Sequence, residues 1–137
     1  MTLTIKHVSP QFTAQAWPLV AQFISNARLH DGGDYTLEQI RLQVNTGKWL
    51  LLVLTDEKEV IHGAATVSFT TMPNDHVAFI TYSGGKAMST TAIFDQLKSV
   101  LKQYGATKVQ AATRKSVARL MSRYGFEERH TIVECKL

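Results

Sequence analysis

From Thr2 to Val8 apolar and polar residues alternate, Leu3 and Ile5 on one face and Thr4 and Lys6 on the other, which predicts a short half-buried strand closed by Ser9 and Pro10. The period then lengthens. Between Thr13 and Leu29 the residues Trp17, Val20, Ala21, Ile24 and Ala27 recur at helical spacing, and Pro18 confines the helix start to Thr13 to Trp17. A polar turn, His30 to Tyr35, leads to Thr36 and Gln39, the capping box of a second helix that turns Leu37, Ile40 and Val44 inward and ends near Gly47.

Lys48 to Thr55 is a continuous apolar run, as in a strand covered on both faces. Asp56 to Glu59 turn the chain into a strand over Val60 to Thr70, and Met72 to Asp75 turn it again into His76 to Tyr82. Three strands joined by tight turns predict an antiparallel meander. Gly84 and Gly85 then read as a turn before a helix from Ser89 to Tyr104, with Ile93, Phe94, Leu97, Val100 and Leu101 on its apolar face and Gly105 as its stop. Lys108 to Ala112 is a short strand, parallel to the preceding one if the helix is a right-handed crossover. Ser116 to Tyr124 form a shorter helix ended by Gly125, and Glu127 to Leu137 alternate as a final strand. The fold class that follows is α/β, an α+β mixed sheet of order β-α-α-β-β-β-α-β-α-β with helices on both faces. At 137 residues a single domain, 1–137, is expected.

Composition narrows the function classes. With 45% hydrophobic and 19% charged residues the chain has enough apolar material to fold without metal or disulfide support, and no metal site is predicted. A net charge of +4 and a pI near 9.3 suit an anionic ligand or a nucleic-acid surface, but the cations lack the interleaved aromatics of a nucleic-acid binder. The one cysteine, Cys135, implies a reduced, cytoplasmic compartment and a half-buried thiol. No signal-like segment opens the chain, and the longest apolar run, Trp49 to Leu54, is too short to span a bilayer, so no membrane partner is expected.

Candidate chemistry concentrates in Ile80 to Ala106, where strand gives way to helix. A helix N-terminus leaves backbone N–H groups unpaired at the positive end of its dipole, an anion site. Here the chain also leaves antiparallel pairing for a parallel crossover, and ligands favour such switch points. The loop from His30 to Tyr35 is either a solvated connector or, through Asp31, Asp34 and His30, the entrance for a cationic substrate.

With that order of elements the sequence resembles the GNAT superfamily of N-acetyltransferases over nearly the whole chain. Val60 to Ala65 (VIHGAA) looks like the family's glycine-containing third strand, Ile93 to Gly105 its pyrophosphate helix, and Arg114 to Phe126 (RKSVARLMSRYGF) its late helix. Small GNAT-like proteins of tailed bacteriophages, some of them virion components, are the nearer match in style. The resemblance implies an acetyl-CoA-dependent N-acyltransferase acting on a primary amine of a small molecule or protein, in the cytoplasm (the host's, if phage-encoded), with a homodimer among the implied partners. It implies that Gly84, Gly85, Lys86, Ala87, Ser89 and Thr90 hold the pyrophosphate, that a main-chain N–H at Thr81 or Tyr82 faces the thioester carbonyl, and that Arg114, with Lys115, Arg119 and Arg123, approaches the 3′-phosphate. His76 is then the candidate base with Asp75 second, and Tyr124 or Tyr82 the acid for the departing thiolate. Two departures stand out: Arg114 falls where the family has asparagine, and Met121 where it has the proton-donating tyrosine. They motivate an alternative, a GNAT-shaped binding or structural protein without catalysis, such as a phage virion or host-interaction factor.

Overall fold

The computed structural model describes residues 2–29, 33–85 and 90–137. In chain order the elements are β1 (Thr4–Val8), α1 (Thr13–Arg28), α2 (Leu37–Asn45), β2 (Leu50–Thr55), β3 (Ile61–Thr71), β4 (His76–Gly85), α3 (Thr91–Gln103), β5 (Lys108–Ala111) and α4 (Lys115–Met121), with 3-10 turns before α1 and after α4. The strands form one mixed sheet in the order β1-β2-β3-β4-β5. The first three pairings are antiparallel, and the β4–β5 pairing is parallel, as the crossover through α3 requires.

Local chemistry accounts for several boundaries. Thr36 and Gln39 form the expected capping box: the Gln39 N–H donates to Thr36 Oγ1 at 3.2 Å and the Thr36 N–H to Gln39 Oε1 at 2.8 Å. Helix α1 begins at Thr13 and carries Pro18 on an exposed position, where the missing N–H and the ring face solvent rather than the sheet. Gln96 of α3 reaches the edge strand β1, donating to Leu3 O and accepting from the Ile5 N–H, both at 3.0 Å. Its amide thus satisfies part of an otherwise unpaired strand edge.

The core divides by sheet face. Trp17, Val20 and Ile24 of α1 and Ile40 and Val44 of α2 pack on Leu51, Val53, Ala64 and Tyr82. Leu97 and Leu101 of α3 pack on Leu50, Leu52, Val67 and Ala78 of the other face. The alternation of Leu50 to Val53 between these two clusters is why that strand reads as unbroken apolar sequence. Full burial of side chains such as Ile24, Ile40, Leu51 and Leu101 contributes roughly 1.5–3 kcal/mol each.

Three expectations are corrected. Gly84 and Gly85 are not a turn but the last residues of β4, paired with Ala64 and Gly63 of β3. Their small size serves packing: a Cβ on Gly84 would overlap the Phe23 carbonyl of α1, and one on Gly85, which has φ +136°, would overlap Gly63 and the His62 carbonyl. The final strand expected over Glu127 to Leu137 is absent, for the segment has no regular structure and is exposed throughout. Alternation makes a strand only where a sheet edge accepts it, and this segment pairs with none. Cys135, expected half-buried on that strand, is therefore exposed. Among the described residues no helix is long and apolar enough to cross a membrane.

Candidate active site

β4 and β5 are joined at one end and apart at the other. Their register has four pairs, from Val77↔Lys108 to Ile80↔Ala111, and stops there, although β4 continues to Gly85. The joined end is clamped by side chains. The His76 N–H donates to Thr107 Oγ1 (3.0 Å), Thr107 Oγ1 donates to Asp75 Oδ1 (2.9 Å), and Lys108 Nζ lies 3.1 Å from Asp75 Oδ2. The Lys108 ammonium, and after it the Thr107 hydroxyl, hold the Asp75 carboxyl below the usual carboxylate range.

The parting coincides with a bulge. On β3, Thr66 pairs with Tyr82 and Val67 with Ile80, so Thr81 is an extra residue on β4. Its side chain is held by Thr66: Thr81 Oγ1 donates to the Thr66 carbonyl at 2.9 Å, and the two hydroxyls lie 2.6 Å apart. A bulge residue falls out of the ladder with β3, and β5 offers it no partner beyond Ala111. Thr81, outside the ladder with β3 and beyond the last pair with β5, thus lies at the edge of the gap.

A cavity of about 630 Å³ occupies that gap. Its walls come from both sides of the sheet: Val53, Ala64 and Tyr82 from the face under α1, Leu52 and Ile80 from the face under α3, and Leu97 from that helix. Because β1 to β4 are continuously paired, the cavity passes between the faces where β4 and β5 diverge. Ala112, Thr113, Arg114 and Met121 form its wall on the β5 and α4 side. Helix α3 presents its first turns to it through Ile93 and Phe94. Thr90 caps this helix, accepting from the Ile93 N–H at 3.3 Å, and the first helical amides have no intrahelical acceptor.

The sequence-predicted residues divide accordingly. Thr81, Tyr82 and Arg114 line the cavity. Gly84, Gly85 and Thr90 flank the junction between β4 and α3, whereas Lys86, Ala87 and Ser89 lie outside the described residues. His76 is not brought to the cavity. It stands five residues before Thr81, hence about 17 Å along the strand, at the clamped end, stacked on Phe69 at 5.2 Å with Nδ1 3.1 Å from Thr71 Oγ1. Asp75 shares that end, and its bonds to Lys108 and Thr107 make it a weak base. Tyr124 stacks on Phe94 (4.4 Å between centroids) and its carbonyl accepts from Lys98 Nζ at 2.6 Å, which places it behind the cavity wall. Met121, 8% exposed, does line the cavity.

Tyr35 is the residue that sequence reading missed. It lines the cavity beside Asp34, with its ring against Trp49 (4.9 Å) and Tyr82 (6.4 Å) and its carbonyl accepting from Arg28 Nε at 2.8 Å. An aromatic residue in an otherwise polar loop was the available signal. Among the described residues no group of three or more His, Cys, Asp or Glu is placed to hold a metal ion.

A parallel pair that splits at a bulge, beside a helix N-terminus and within this strand order, identifies the architecture. The fold is that of the GNAT acetyltransferases. No protein-family model and no curated protein matches the sequence. Solved structures do. An aminoglycoside acetyltransferase from an uncultured soil metagenomic sample, in complex with sisomicin, aligns with TM-score 0.72 and 11% identity over 98% of this chain and 96% of its own. An aminoglycoside 6′-N-acetyltransferase from Acinetobacter baumannii gives 0.64 and 16% over 99% and 98%. Glucosamine-6-phosphate N-acetyltransferase from Arabidopsis thaliana gives 0.65 and 12% over 99% of both chains. The likeness to these GNAT structures thus extends over the full length of the fold and is carried by very little sequence identity.

Proposed function

We propose that the protein is an N-acyltransferase that moves the acetyl group of acetyl-CoA to a primary amine of a small molecule. The observation that carries this reading is the open gap beyond Ile80 and Ala111, with the Thr81 bulge at its edge. In the reaction the amine loses a proton, its nitrogen lone pair attacks the thioester carbonyl, the C–S bond breaks and the sulfur takes up a proton. Acetyl-CoA and an alkylammonium ion thus give the N-acetyl amine, CoA thiol and one proton.

The residues present fit such a donor. A main-chain N–H at Thr81 or Tyr82 would polarise the carbonyl, where a donor preset in a dry site stabilises the developing oxyanion. The first amides of α3, with Thr90 and the preceding Gly84, Gly85, Lys86, Ala87 and Ser89, are proposed to hold the diphosphate, and Arg114 a phosphate group. Ile93, Phe94 and Leu97 supply an apolar wall for the pantetheine arm. For the thiolate proton we favour Tyr82, which lines the cavity, over Tyr124, which does not. His76 has no place in this machinery, because it belongs to the clamp at the opposite end of β4. Since acetyl-CoA is a cytoplasmic metabolite, the cytoplasm is the proposed location.

An inert binding protein of the same shape would have little reason to keep this gap open, and large side chains plugging it would have favoured that alternative. Calorimetric titration of the full chain with acetyl-CoA and with CoA tests the reading. Saturable binding of both is expected, and no heat at millimolar ligand would overturn it.

A further inference from the structure

The cavity differs in character from one end to the other. On the α1 side it is walled by Ala27, Asp34, Tyr35, Val53, Ala64 and Tyr82. Asp34 is the one carboxylate among its described lining residues, and Arg114, on the β5 and α4 side, the one cation. Both tyrosine rings here are set before any ligand arrives. Tyr35 stands edge-on to Trp49 (68°) and to Tyr82 (89°), and Tyr82, Val53 and Ala64 are 6%, 6% and 1% exposed. The walls are therefore rigid and largely apolar, with one negative charge at the rim, where Asp34 is exposed.

We infer that the acceptor is a primary amine on an apolar, ring-sized body, its ammonium drawn to Asp34 and its body laid against Tyr35 and Tyr82. An ammonium ion gains both from the carboxylate and from the electron-rich faces of the two rings. A hydrocarbon or aryl body gains from desolvation against half-buried Ala27 and Tyr35. An aminosugar would bring several hydroxyls and further ammonium groups into contact with these walls. Each polar group stripped of water without a new partner costs free energy, and such a site discriminates against it. The acceptor so described differs from sisomicin, the ligand held by the soil aminoglycoside acetyltransferase of similar fold. Turnover of this amine rests on the acyl-transfer reading above, but its binding does not.

The test uses the full chain with phenethylamine, methylamine, glucosamine 6-phosphate and kanamycin as probes. N-acetyl product is followed by mass spectrometry, because exposed Cys135 would react with thiol reagents. Binding of each amine alone is followed by ligand-observed NMR. With acetyl-CoA present, kcat/KM for phenethylamine should exceed that for either sugar by about tenfold or more. Asp34→Asn should raise its KM by about two- to fivefold, the range of an exposed ion pair, and Tyr35→Ala should narrow its advantage over methylamine. Preference for kanamycin or glucosamine 6-phosphate, or an Asp34→Asn variant with unchanged KM, would overturn the inference while leaving acyl transfer intact. If acetyl-CoA fails to bind, acyl transfer falls, and the amine site is then judged by NMR alone. Phenethylamine binding that Asp34→Asn weakens sustains it; no binding, or binding that the variant leaves unchanged, ends it.

Discussion

Thr66 and Thr81 are joined hydroxyl to hydroxyl at 2.6 Å, and the direction of that bond is fixed. Thr81 Oγ1 spends its proton on the Thr66 carbonyl at 2.9 Å, so Thr66 Oγ1 must be the donor between the two. Thr66 is fully buried, whereas Thr81 is half-buried and lines the cavity. A bulge has no ladder bond to hold its extra residue, and this pair of bonds takes over that duty.

Thr66→Val removes the donated bond while keeping the shape of the side chain. Loss of one buried hydrogen bond should cost roughly 1–2 kcal/mol in urea unfolding. The bulge should also lose its fixed orientation, so kcat should fall more than acetyl-CoA affinity, and Thr66→Ser should restore it. A kcat unchanged in Thr66→Val would show that the pair does not orient the bulge.

Gly84→Ala tests the packing role of the glycines against a purely ligand-binding one. The new Cβ would meet the Phe23 carbonyl of α1, a backbone atom that cannot swing aside. Overpacking of this kind costs roughly 1–3 kcal/mol, and denaturant midpoints should show it with no ligand present. Substitutions at Gly85, where φ is +136° and Gly63 lies against it, should be worse. Changes at either glycine therefore lower stability and acetyl-CoA binding together, and they cannot serve as clean binding-site knockouts.

Much of the architecture was legible because it is written locally. The Thr36–Gln39 capping box, the stripe from Trp17 to Ala27 and the unbroken run of β2 each follow from residue order within one element. The parallel crossover followed from handedness. What escaped depends on partners remote in sequence. The bulge at Thr81 is a mismatch in count between β3 and β4, which neither strand reveals alone. Gly84 looked like a turn because the sequence does not announce that α1 passes so close to it. His76 opens β4 and does not line the cavity, whereas ligands in open α/β sheets gather beyond the carboxyl ends of strands. Polarity alone would have sent the search toward Thr81 and away from His76.

His7 gives the fold a pH dependence. Burial lowers its pKa from the ordinary value of 6.5, and its Nδ1 lies 2.7 Å from the Tyr104 hydroxyl. In the unfolded chain the imidazole takes up a proton as the pH falls through about 6.5, whereas in the folded chain it does so only at lower pH. Over that window the unfolded state binds more protons, so stability falls with pH and levels off below the folded pKa. Urea midpoints measured between pH 7.5 and 5 should decline in the wild type, and His7→Gln should flatten that part of the profile. An identical decline in the variant would assign the effect to other groups.

Arg114 precedes α4 and lines the cavity on the side where the acyl donor is proposed to lie. Its guanidinium is exposed, so any bond to a phosphate is partly screened and should weaken as salt rises. Arg114→Ala is expected to weaken acetyl-CoA binding by about tenfold at low ionic strength, about the size of one charge-assisted hydrogen bond. Comparing CoA with 3′-dephospho-CoA locates the contact. If Arg114 grips the 3′-phosphate, the variant loses affinity for CoA and none for the dephospho form; if it reaches the diphosphate, both weaken alike. Equal affinity of wild type and variant for both ligands at low salt would remove Arg114 from the donor site, and the basic face of α4 would then be solvated surface.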